Sequence, residues 1–180
     1  MKNEYEIVDN QVFIILKDRR GIIRKCIIDI DDFDKVNQYT GTLFASYRKR
    51  INGYYACMTL YLGIINGKAK YQTMYLHRII MDVKERNIRI DHKNYDTLNN
   101  SKDNLRISSP ETNSTHRSRP NGNNKTGYRN VCEINNQFVV RLQIDGKNKV
   151  LGKFDFENLE NAVEFAEAMR QKYYGEFAGI

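Results

Sequence analysis

Asp91 and His92 stand side by side in the stretch IDHKNYDTLNNSKDNLRISSPETN, residues 90–113. Asn104 follows the histidine by twelve positions, and Asn113 follows Asn104 by nine. Imidazole is the side chain best matched to taking a proton from water near neutral pH. A carboxylate and an amide oxygen are hard donors of the kind that bind Mg²⁺ or Mn²⁺. A second amide oxygen can accept the other ring N–H of a histidine and fix its tautomer. His92 is therefore the candidate general base and Asn104 the candidate residue that orients it. Asp91 and Asn113 are the candidate ligands of one divalent metal ion. Such a set suits hydrolysis of a phosphodiester, with the ion on the scissile phosphate.

These groups need elements to hold them. Ile90 and the Leu105–Ile107 run read as short strand pieces on either side of a polar loop, residues 94–103. Ser109-Pro110 reads as a helix start, serine as N-cap and proline in the first helical position. Two strands and a helix would then set His92 on a strand with Asn113 facing it from the helix's first turn. His116, three residues further on, is a third candidate ligand, after Asp91 and Asn113. Upstream, Leu76, Ile79, Ile80 and Val83 recur at helical spacing and predict a helix over 75–83 with that stripe inward. His77 and Arg78 fall elsewhere on its surface. His77 reads either as a core or supporting histidine or as a group approaching the phosphate, and Arg78 as a candidate phosphate contact.

Asp91-His92, Asn94, Asn99-Asn100, Asn104-Leu105-Arg106 and Asn113 resemble the HNH nucleases, in the branch found in homing endonucleases and phage-encoded nucleases. Leu76-His77-Arg78-Ile79-Ile80-Met81 is similar to the helix that often precedes the motif there. The resemblance implies a ββα-metal core, with His92 as base, Asp91 and Asn113 on the metal and Asn104 orienting the base. The chain departs from the pattern in three places. Asn113 fills the third motif position in place of histidine, as in many members of this branch. Tyr95 stands where glycine is common, and Lys93 where an apolar residue is frequent.

The composition is that of a globular chain, 41% hydrophobic and 28% charged over 180 residues, with a net charge of +7. That excess suggests a polyanionic partner, nucleic acid first. No run of about 18 apolar residues occurs, so no membrane span is expected. The first ten residues, MKNEYEIVDN, lack the apolar core of a signal peptide, and a cytoplasmic protein is expected. Cys26, Cys57 and Cys132 form no Cys-x-x-Cys pair, which argues against a zinc knuckle and for reduced thiols.

Residues 4–30 predict a β-hairpin turning at Asp18–Gly21. Asp31-Asp32 can cap a short helix carrying Phe33 and Val36, ended by Gly41. Asn52-Gly53 and Asn66-Gly67 mark further hairpins. Arg48-Lys49-Arg50 reads either as a phosphate contact or as a solvated strand end. The expected organisation is a β-rich platform over 1–70, the nuclease core over 71–118, a basic linker over 119–126 and a last domain over 127–180. Around the linker, Arg117, Arg119 and Lys125 could follow a DNA backbone, or the segment could be a plain tether.

The last domain predicts three strands, Tyr128–Ile134, Phe138–Ile144 and Lys149–Phe154, then a helix from Asn158 with Leu159, Ala162, Val163, Ala166 and Met169 on one stripe. That helix would cover one face of an antiparallel sheet and leave the other in solvent, giving an α+β chain overall. The runs Thr126–Val131, Phe138–Ile144, Leu151–Asp155 and Tyr174–Ala178 resemble the plant ethylene-response-factor type of DNA-binding domain. The resemblance implies that the open sheet face enters the major groove of double-stranded DNA. Arg129, Arg141, Gln143 and Asn148 would then face the duplex, together with Val150. Cys132, Ile134 and Val150 stand where that family has aromatic and arginine positions. The combined expectation is a metal-dependent, site-selective DNA endonuclease working as a monomer or homodimer. The alternative is a DNA-binding regulator that does not cut.

Overall fold

Val12, Ile14 and Leu16 alternate along one strand, and all three are buried at 0–1% exposure. That alternation sets the inner face of the first sheet, in which β1 (Tyr5–Val8), β2 (Gln11–Lys17) and β3 (Ile23–Asp29) run antiparallel in that order. The predicted hairpin over 4–30 is thus a three-strand meander. Asp9, at φ 51°, makes the tight turn that folds Tyr5–Val8 back onto β2. The computed structural model describes residues 1–109, 112, 115–117 and 119–179. They fall in two units, Met1–Ile107 and Ser108–Ile180, and the chain is α+β.

In the first unit a 3-10 turn leads into α1 (Phe33–Asn37), which stops short of Gly41. A second antiparallel sheet follows, β4 (Phe44–Arg48), β5 (Gly53–Ile65) and β6 (Lys68–Tyr75), with β5 in the middle. Asn66 and Gly67 both take positive φ, 54° and 72°, as a type I′ turn requires. Next comes α2 (Leu76–Ile80), shorter than the 75–83 predicted. Its end has a clear cause. Asp82 adopts φ 53°, the Val83 N–H donates to the Arg78 carbonyl and the Asp82 N–H to the Ile79 carbonyl. This is a Schellman closure with aspartate in the left-handed position. β7 (Arg89–His92) and β8 (Leu105–Ser108) then pair as a two-stranded sheet.

One core joins these pieces. Ile14 and Ile28 of the first sheet, Val36 of α1, Met58 of β5, Leu76 and Ile80 of α2 and Leu105 of β8 form a single buried cluster. The strands that carry the candidate catalytic residues are therefore seated on the β-rich platform.

The second unit holds β9 (Val131–Ile134), β10 (Gln137–Ile144) and β11 (Lys147–Asp155), antiparallel with β10 central, and α3 (Leu159–Tyr174). Val131, Val140 and Leu142 pack against Ala162 and Ala166 of the helix. β9 begins three residues later than predicted, because Gly127 and Asn130, at φ 78° and 65°, keep the chain in turns up to Val131. β10 outruns β9, and its free edge is closed by side chains: Asn130 Nδ2 donates to the Arg141 carbonyl, and the Tyr174 hydroxyl both accepts from the Gln143 N–H and donates to its carbonyl. The face away from α3 is less open than predicted, for Val139 on it is only 3% exposed.

Gly152 marks the closest approach of helix to sheet. A Cβ there would lie 2.8 Å from a Phe165 ring carbon and 3.0 Å from Phe154. Gly152→Val is expected to destabilise this unit by about 1–3 kcal/mol, the usual range for overpacking. Chemical denaturation should show an earlier midpoint, and an unchanged midpoint would contradict the packing described.

Candidate active site

The polar loop between β7 and β8 is folded by its own side-chain amides. The Asn94 N–H donates to Asn104 Oδ1 at 3.0 Å, and the Asp96 N–H to Asn94 Oδ1 at 2.9 Å. The Leu98 N–H donates to Asp96 Oδ1 at 2.9 Å, and Asn104 Nδ2 to the Asn99 carbonyl at 2.7 Å. Short Asn and Asp side chains replace backbone partners in this way wherever a chain turns without regular structure, and this accounts for the local composition. Tyr95, in the glycine-like position, does take the left-handed φ of 64°. The loop also docks on its neighbours. The Ile27 N–H of β3 donates to the Leu98 carbonyl, the Asn100 N–H to the Ile27 carbonyl, and the Thr97 hydroxyl to the Tyr54 carbonyl of β5.

His92 ends β7 with 4% of its surface exposed. Its Nε2 lies 3.4 Å from Asn100 Oδ1, a long hydrogen bond. Asn100 Nδ2 donates to the Leu98 carbonyl at 3.0 Å, which turns the amide oxygen toward the ring. With Nε2 protonated and donating to that oxygen, Nδ1 keeps its lone pair. The sequence predicts this orienting role for Asn104. In the structure both amide atoms of Asn104 bind the loop backbone, and the amide facing the ring belongs to Asn100. Burial holds the His92 pKa below the ordinary histidine value, against the opposing pull of Asn100, Asp91 and Asp96. The imidazole is accordingly neutral at pH 7, as a base requires.

Two aromatic rings wall the histidine and a third packs behind them; the sequence assigns no role to Tyr55 or Tyr75. His77, on α2, meets His92 edge-on with ring centroids 5.4 Å apart, and Tyr55 of β5 lies 5.9 Å from His92. Tyr75, at the end of β6, packs on His77 at 5.5 Å and on Tyr55 at 5.8 Å. Arg48 Nη2 donates to the Tyr75 hydroxyl. His77, for which the sequence leaves a core or supporting role open beside a phosphate contact, is 8% exposed, and its Nδ1 is buried without a hydrogen-bond partner. Burial, with the charges of His92 and Arg78, pushes its pKa down to about 3.

Asp91 is held by β8. Arg106 donates to Asp91 Oδ2 through Nε at 2.9 Å and Nη2 at 2.7 Å, with side chains 9% and 12% exposed. This partner stood in the motif as the residue after Asn104-Leu105, with nothing in the spacing to announce the contact. The pair bears on the metal. Asp91 offers hard-oxygen chemistry, but a guanidinium already neutralises it. Among the described residues no group of three His, Cys, Asp or Glu side chains could hold an ion. The described residues alone do not complete a metal site, and no step is derived through one. Asn113, the other candidate ligand, lies outside the described residues. Thr112 and Thr115 are helical, and the His116 N–H donates to the Thr112 carbonyl.

Arg78 closes the loop that enters β7, donating to the carbonyls of Ile88 at 3.0 Å and Glu85 at 2.6 Å. The remaining candidates gather in the second unit. Arg117, Arg119, Lys125 and Arg129 line one cavity of about 710 Å³ together with Arg141, Gln143 and Asn148 of the sheet. The segment expected as a linker thus shares a concavity with the open sheet face. Asn124 ties it there, donating to the carbonyls of Tyr128 and Val131. Arg129 is turned to structural use as well, donating to the carbonyls of Thr115 and Ala178. Arg141, Gln143 and Asn148 are exposed. No helix among the described residues is long and apolar enough to cross a membrane.

Among curated proteins, the chain is similar to an uncharacterized HNH endonuclease of Acanthamoeba polyphaga mimivirus, 26% identical over 176 residues that cover 98% of this chain and 84% of that one. No protein-family model matches, so the likeness of the last domain to the ethylene-response-factor type has no support from that side. No solved structure matches.

Proposed function

We propose that this chain is an HNH-type endonuclease that hydrolyses phosphodiester bonds of double-stranded DNA, with His92 as general base. The observation that carries the proposal is the placement of His92: a buried imidazole at the end of β7 next to Asp91, with Nε2 3.4 Å from the Asn100 amide oxygen. The relative named an HNH endonuclease spans nearly the whole chain and supports the same reading. In the reaction, His92 Nδ1 takes a proton from water, the oxygen attacks phosphorus, and the phosphorus–oxygen bond to the leaving sugar breaks. The proposal includes one Mg²⁺ or Mn²⁺ on Asp91 and Asn113, an ion that would supply charge neutralisation at the phosphate. The basic cavity of the second unit would hold the flanking duplex, where Arg141 and Gln143 have the chemistry to read guanine and adenine edges.

Wild-type protein is expected to convert supercoiled plasmid to open-circle or linear product in Mg²⁺, with EDTA abolishing the conversion. Cleavage that persists in EDTA would remove the metal from the proposal.

A second reading, a DNA-binding protein that does not cut, draws on one observation: the Arg106 guanidinium occupies Asp91. Protein that shifts DNA in a gel at every metal concentration tried, yet never cuts it, would select this reading.

A further inference from the structure

Charge is distributed unevenly along this chain. From Lys35 to Met81 there is no Asp or Glu, while Lys35, Arg48, Lys49, Arg50, Lys68, Lys70 and Arg78 supply seven cations. The whole chain has 29 cations and 22 anions, so the remainder balances at 22 against 22, and the entire +7 lies in this stretch. Its centre is the β5–β6 ribbon, and beyond Leu60 that ribbon leaves the core. Ile64 is 70% exposed, Tyr71 63% and Tyr61 58%.

The two faces of the ribbon follow from its register. Cross-strand partners share a face, and successive residues alternate. Tyr61 pairs with Tyr71, and Thr59 with Thr73, on the face that also carries Tyr75. Tyr55, two residues before Cys57 on β5, lies on that face too. Ile64 joins it past the bulge between Tyr61 and Gly63, while Lys68 and Lys70 fall on the other face. The Tyr61 and Tyr71 rings pack at 5.4 Å. One face of the ribbon therefore starts at the rings that wall His92 and runs outward as a ladder of tyrosine and threonine hydroxyls. From Tyr55 to Ile65 the rise is about 33 Å, roughly one helical turn of duplex.

We propose that the β5–β6 ribbon is a DNA-binding arm: it lies along the duplex that enters the His92 site, over about one helical turn on one side of it. Tyr and Thr hydroxyls of one face bond to phosphate oxygens on one wall of the groove, and the lysines of the other face, with Lys49 at its base, contact phosphates of the opposite wall. This rests on the nuclease reading for the position of the duplex. A two-stranded ribbon fits the groove of B-form DNA, whereas A-form RNA closes its major groove to side chains. On this account the sequence-independent grip on DNA comes from the first unit more than from the second.

The test uses the full chain and a mixed-sequence duplex of about 30 base pairs, close to three helical turns. Binding is read by fluorescence anisotropy in EDTA, across a salt series. Lys49→Ala/Lys68→Ala/Lys70→Ala should weaken binding at least tenfold and lower the log–log salt slope by about 3, near one per phosphate contact. Tyr61→Ser/Tyr71→Ser should weaken binding with little change of slope. These side chains are exposed, so thermal melts should match wild type. An unchanged slope in the lysine variant, with the full loss appearing instead in Arg119→Ala/Arg141→Ala, overturns the arm. So does a tyrosine variant that binds DNA normally but loses a dimer in sedimentation, because the ribbon's occupant is then a second copy of the chain. Plasmid nicking in Mg²⁺ is scored separately. Wild type that binds through the ribbon without nicking sinks the nuclease reading alone, and wild type that nicks with an unchanged slope in the lysine variant sinks the arm alone.

Discussion

Acidification from pH 7 to pH 4 is expected to cost the first unit several kcal/mol of stability, and His77→Phe is expected to remove most of that loss. His77 is buried beside His92, with Nδ1 unpartnered and its pKa pushed down to about 3 from the ordinary 6.5. The folded chain therefore keeps the ring neutral down to about pH 3, while the unfolded chain protonates it near 6.5. Between those values the unfolded state binds one more proton, so stability rises with pH. The contribution is complete above 6.5 and is lost as pH falls toward 3. At about 1.4 kcal/mol per unit the limit is on the order of 5 kcal/mol. Burial lowers the His92 pKa as well and adds to the trend. Phenylalanine keeps a ring against Tyr55, Tyr75 and His92 and cannot take a proton. Urea unfolding of both proteins from pH 7 to pH 4 measures the difference. Parallel pH profiles would show that His77 is solvated or protonated in the fold.

The sequence made the local elements of this chain readable and left the contacts between them unread. Asn66-Gly67 named its turn because both positions need positive φ, which those residue types tolerate. β10 was legible from the alternation of Phe138, Val140 and Leu142, and α3 from its apolar stripe. α2 was drawn too long because Val83 sits in register with the apolar stripe. Asp82, one residue before, takes a left-handed conformation that aspartate adopts only in context. His92 stands out by residue type, but its surroundings do not. Tyr55, Tyr75 and His77 come together across a sheet and a helix, and no periodicity links them to His92. The amide partner was misplaced for a similar reason. Asn94, Asn99, Asn100 and Asn104 are chemically equal in the sequence, and only the folded loop decides which of them serves the backbone and which meets the ring. The Asp91–Arg106 pair was hidden because it joins two strands across the loop.

The central claim is that His92 takes the proton from the attacking water. His92→Ala is therefore expected to slow cleavage by about 10²–10⁴-fold, the range that general-base catalysis contributes. DNA binding should be nearly unchanged, because the cationic groups of the ribbon and of the second unit's cavity are untouched. Asn100→Ala should give a smaller loss, since it frees the ring without removing it. The loss in His92→Ala belongs to chemistry only if the variant is folded, so its thermal melt accompanies the assay. The measurement is single-turnover nicking of supercoiled plasmid in Mg²⁺, wild type beside His92→Ala, with DNA affinity determined in EDTA for both. A rate loss of at least a hundredfold at equal affinity is the predicted result. Equal nicking rates in the two proteins would contradict the account and place the chemistry elsewhere in the chain.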